Sequence, residues 1–101
     1  MPRMYRQGDV LLVEVDEIPK RAKQLQTKII LEGEATGHAH RIVHGEIFQE
    51  FTDMFVDAGD GTKLVHDEHG PIKLEPGIYK VVRQAEYDPN RTKRRGAWVL
   101  D

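Results

Sequence analysis

Three of the five histidines in this 101-residue chain fall within Gly37-His38-Ala39-His40-Arg41-Ile42-Val43-His44. Along a strand, side chains alternate with a period of two. His38, His40, Ile42 and His44 are therefore expected on one face, and Ala39, Arg41 and Val43 on the other. Two imidazoles at i and i+2 can share one divalent ion once a third ligand arrives from elsewhere. The natural suppliers are His66 and His69, in the run His66-Asp67-Glu68-His69-Gly70-Pro71, with Glu46 or Glu68 as a carboxylate. The candidate metal ligands are thus His38, His40, His66, His69 and Glu46. A mixed nitrogen and oxygen set suits Zn, Fe, Mn or Ni, and the residues do not choose among them.

The same residues can act without a metal. In an extended chain His66 and Glu68 share a face; in a tight turn His66 meets His69. Either geometry pairs an imidazole with a carboxylate, which can orient it as a ligand or general base. A histidine pair near Arg41 and Thr36 fits proton transfer at a phosphodiester, the guanidinium holding the phosphate. The loop Gly33-Glu34-Ala35-Thr36-Gly37 offers backbone N–H groups of the kind that form an anion-binding nest. Thr36, Arg41, His44 and Glu68 are therefore candidate ligand-binding residues. There is no phosphate-binding Walker loop, serine nucleophile elbow or dinucleotide fingerprint.

The elements that must position these groups read as strands. Val and Leu dominate residues 10–15, opened by Gly8-Asp9 and closed by Asp16, Glu17 and Pro19, which predicts a buried strand. Further strands are expected at 27–32, 39–43, 46–51, 54–57, 63–65, 72–74, 78–84 and 97–100, the last carrying the only Trp, Trp98. His44-Gly45 reads as a two-residue hairpin turn, and Ala58-Gly59-Asp60-Gly61-Thr62 as a second hairpin. Residues 20–25 allow one helical turn, and 87–96 form a basic loop. About eight short antiparallel strands at spacings of roughly 8–12 residues predict an all-β chain, a compact barrel or sandwich.

Bulk composition narrows the classes. The chain is short enough for one domain, residues 1–101. With 39% hydrophobic and 32% charged residues it is foldable but polar, and its thinly spread apolar residues suit a homo-oligomer. The absence of cysteine excludes disulfides and thiolate metal sites. No apolar run approaches the roughly 18–20 residues of a membrane span, so no membrane association and a cytoplasmic setting are expected. A net charge of −2 argues against a broad nucleic-acid surface, although Arg91, Lys93, Arg94 and Arg95 form a local basic run.

Three resemblances follow from these residues. The order His38-x-His40, Glu46, then Leu74-x-Pro76-Gly77-x-Tyr79-x-Val81 resembles a degenerate cupin, a family in which His-x-His and a following Glu bind metal inside a double-stranded β-barrel. That likeness implies metal-dependent chemistry, with His69 replacing the family's last His, because Tyr79 or Val81 stands at its place. Residues 6–13, Arg-Gln-Gly-Asp-Val-Leu-Leu-Val, are similar to the opening strand of MazF-like toxins, SH3-like barrels that cleave RNA. The blocks Gly-Asp-Val-Leu, Thr-Gly-His-Ala-His, Glu-His-Gly-Pro and Pro-Gly-x-Tyr together resemble small uncharacterised proteins of bacteria and their phages.

Three readings stand on these observations. The first is a binding module holding a divalent metal or a small anionic ligand on the His/Glu site. The second is a small enzyme, cupin-like or a His-based phosphodiesterase. The third is an interaction protein, an accessory of a phage particle for example, in which the histidines are incidental.

Overall fold

The computed structural model describes residues 2–32 and 38–83. The Gly33–Gly37 loop with Thr36, the basic loop and the Trp98 strand lie outside the described residues. Among the described residues there is no helix, and eight antiparallel strands form one sheet. The strands are β1 (Met4–Gln7), β2 (Val10–Val15), β3 (Lys23–Leu25), β4 (Ile29–Glu32), β5 (Ala39–Glu50), β6 (Asp53–His66), β7 (Ile72–Lys73) and β8 (Gly77–Arg83). The order is β1-β2-β8-β6-β5-β3, with β4 on β5 and β7 on β6. The sheet is not closed by a ladder: the all-β expectation holds, no closed barrel is shown among the described residues, and the open sheet is compatible with the sandwich alternative.

The spine is one long hairpin, β5–β6, and it replaces the two short hairpins expected from the sequence. Its turn is Phe51-Thr52, since Glu50 pairs with Asp53. Phe51 sits at φ 55°, fully on the surface at the tip. The predicted turns at His44-Gly45 and Ala58–Thr62 instead oppose each other within the ladder. Register shifts there: Val43 pairs with Lys63, but Gly45 pairs with Ala58. His44 takes φ 61° at this irregularity. Thr62, fully buried, holds it together: its hydroxyl donates to the His44 carbonyl and accepts the Gly59 N–H at 2.8 Å. Gly45 is needed because a Cβ there would meet Ile42 and Thr62 methyl carbons at 2.9 Å.

The bulge divides the ribbon. On one side of it β5 and β6 pair with β3 and β8; on the other they pair with β4 and β7. Bulges bend the strands that carry them, so each long strand serves two neighbours in turn. Residues 20–25 form no helical turn; 23–25 become β3, paired with residues 47–49 of β5. The core is Val10, Leu12, Ile30, Ile42, Ile47, Val56, Ala58, Leu64, Leu74 and Tyr79. Each large apolar side chain buried this way contributes about 1.5–3 kcal/mol over exposure. The two-residue Gly8-Asp9 turn joins β1 to β2, with Gln7 paired to Val10 and Gly8 at φ 58°.

Candidate functional site

The far end of the β5–β6 ribbon, opposite the Phe51 tip, carries the histidines. His40 of β5 and His66 of β6 are direct partners across the ladder, which puts their side chains on one face. Their ring centres are 4.2 Å apart, tilted by 39°. His69, in the turn after β6, lies 4.6 Å from His66 and 6.1 Å from His40. His38, just before β5, meets His66 edge-on at 5.8 Å. His66 is thus the middle ring, and the tight-turn alternative for His66 and His69 is the one adopted.

His40 is the anchor. It is only 5% exposed, and its Nδ1 lies 3.0 Å from Oε1 of Gln7. The Gln7 amide nitrogen donates to the Leu64 carbonyl at 3.1 Å and to the Gly70 carbonyl at 2.8 Å. With both amide protons spent on carbonyls, the Gln7 oxygen must accept, so His40 carries its proton on Nδ1. The lone pair is left on Nε2, which takes no hydrogen bond among the described residues. Burial, then the charges of His66 and His69, hold the His40 imidazole below its ordinary pKa against an opposing pull from Asp9. The neutral ring is therefore the working form near neutral pH.

His66 is set the other way. Its Nδ1 accepts the backbone N–H of Glu68 at 2.9 Å, so its proton resides on Nε2. The Glu68 carboxylate lies 3.5 Å from Nδ1 of His38, so its imidazole partner comes from the other histidine segment and not from the 66–69 run as expected. Gly8 leaves the room these rings need. A Cβ on it would lie 2.8 Å from His69 Nε2 and 3.4 Å from His40 Cε1.

The remaining candidates stand apart. Glu46 is engaged by Lys28 at 2.9 Å and Gln24 at 2.7 Å, and those hydrogen bonds, with the lysine's charge, lower its pKa. His44 is exposed at the bulge, contributing its carbonyl to Thr62. Arg41 meets Asp67 at 3.3 Å. Among the described residues no three His, Asp or Glu side chains are arranged to hold a metal ion. Sequence reasoning missed Gln7 and Gly8. The Gly-Asp pair signals a turn, but nothing near Gln7 signals partners 33, 57 and 63 residues away.

No helix among the described residues is long and apolar enough to cross a membrane. No curated protein and no solved structure matches the chain significantly. The family model described as Domain of unknown function (DUF8820) matches residues 6–84, a span that takes in Gln7, Gly8 and all the clustered histidines, and the chain belongs to that family.

Proposed function

We propose that this chain is a small-ligand-binding β module whose ligand sits on the patch formed by His38, His40, His66 and His69. One observation carries the reading. Two separate segments bring four imidazoles together, and one of them, the buried His40, has its second nitrogen kept as an acceptor by a buried glutamine from a third segment. Stability alone gives no reason for this arrangement, because burying a polar ring with an unused nitrogen costs free energy that an apolar side chain would not. A divalent ion would use the acceptor nitrogen of His40; His66 would first have to give up the bond from Glu68.

The test is titration of the folded protein with Zn²⁺, Ni²⁺, potassium phosphate and sodium sulfate, followed by calorimetry and by the histidine ring signals in NMR. At least one probe is expected to saturate, to move the His38, His66 and His69 signals, and to lose its effect in His66→Ala. If no probe moves those signals at millimolar concentration, the reading fails.

A further inference from the structure

We infer that the patch selects an oxyanion that still carries a proton, hydrogen phosphate being the simplest example. This rests on the binding reading above and specifies its ligand. The argument is the opposite tautomers of the two paired rings. Gln7 fixes the His40 proton on Nδ1 and leaves Nε2 as an acceptor. The Glu68 N–H occupies the acceptor nitrogen of His66 and leaves its Nε2–H as a donor.

These two rings do not satisfy each other. An in-plane hydrogen bond between imidazoles would set their centres roughly 5 Å apart with the nitrogens near 2.9 Å. At 4.2 Å between centres and a 39° tilt the two rings are closer than that geometry allows. One acceptor and one donor therefore lie on two neighbouring rings. A group of the form HO–P–O⁻ satisfies both: its hydroxyl donates to His40 and a neighbouring oxygen accepts from His66. An anion with acceptors only, such as sulfate, would place an oxygen against the His40 lone pair and leave that buried nitrogen without a partner. Leaving such a group unsatisfied costs about 1–3 kcal/mol, or roughly 5- to 150-fold in affinity. Binding sites built to hydrogen-bond a hydroxyl reject the analogue lacking it for the same reason. His38 and His69 complete the cluster around His66.

The experiment compares phosphate, sulfate and dimethyl phosphate by calorimetry near neutral pH, on the wild-type chain and on His40→Phe. Long-range ¹H–¹⁵N spectra of the wild-type imidazoles run alongside, reading each tautomer directly without any variant. Expected are an Nδ1–H tautomer for His40, an Nε2–H tautomer for His66, and phosphate binding at least 10-fold tighter than the two acceptor-only anions. In His40→Phe that preference should collapse. Equal affinity for phosphate and sulfate, or His66 protonated on Nδ1 in the free protein, overturns the inference. Saturable Zn²⁺ or Ni²⁺ binding with no response to phosphate also overturns it while leaving the binding-module reading intact; silence to every probe removes both.

Discussion

Replacing Gln7 by leucine keeps the volume and deletes the hydrogen bonds, which makes Gln7→Leu the sharpest test of how the patch is held. Gln7 is 3% exposed and belongs to β1, a strand whose ladder partner is β2 and which pairs with neither β5 nor β6. Its side chain nevertheless touches both, through His40 and the Leu64 carbonyl, and reaches Gly70 in the following turn. The variant removes a partner from three groups. The Gly70 carbonyl belongs to an exposed residue and can recover a water. The Leu64 carbonyl stays in the β6–β7 ladder opposite Ile72. The His40 Nδ1–H belongs to a buried residue and is left without a partner, a loss of about 1–3 kcal/mol. Against a typical total of about 5–15 kcal/mol, that is a large fraction. Urea unfolding followed by circular dichroism should show the midpoint falling by roughly 0.5–2 M at an unchanged slope. Gln24→Leu is the control. Gln24 also makes a short hydrogen bond, to Glu46, but on the surface, and its loss should stay within about 0.5 kcal/mol. If the two variants unfold alike, Gln7 is not a clasp and the tautomer of His40 is not set by it.

Other perturbations probe the same framework. Gly8→Ala adds a Cβ at φ 58°, 2.8 Å from His69 Nε2; strain of about 1–3 kcal/mol and a displaced His69 ring signal in NMR are expected. Thr62→Val leaves the Gly59 N–H and the His44 carbonyl unpartnered at the bulge, which should cost about 1–3 kcal/mol in chemical denaturation. Stability should also bend at both ends of the pH scale. The folded pKa of His40 lies below its ordinary 6.5, so the unfolded chain binds more protons there; stability present above about pH 6.5 is lost as pH falls below it. Tyr79 is raised by burial and the neighbouring Tyr5 from 10.0 to about 12, so stability is full below pH 10 and declines between pH 10 and 12. That amounts to on the order of 2–3 kcal/mol, and the decline should shrink in Tyr79→Phe.

The parts of this molecule that were readable in advance are those governed by local pattern. The β2 boundaries follow from the Val/Leu-rich run at 10–15, and β8 from Ile-Tyr-Lys-Val-Val-Arg, because both are determined by side chains within the strand. His38 and His40 reach His66 as the two-residue period requires. The period fails at His44, where the backbone turns to φ 61°. The two misplaced hairpin turns have a common cause. Gly45 and Gly59-Asp60-Gly61 carry strong turn chemistry, yet the chain spends it on a bulge, because the apolar residues on either side, Ile42 with Leu64 and Ile47 with Val56, pair across one continuous ribbon. The actual reversal falls on Phe51-Thr52, two residues with no preference for a positive φ. Its place is set by the register of the strands it joins, so ladder pairing overrides turn propensity here. The same reasoning explains why the site was only half legible. Histidines announce their chemistry by type, but which nitrogen each one offers depends on Gln7 and on the Glu68 N–H, a side chain and a backbone group with no chemistry of their own to signal. A cluster of imidazoles is therefore visible in the sequence, whereas its division into one acceptor and one donor exists only once β1 folds back over the end of the β5–β6 ribbon.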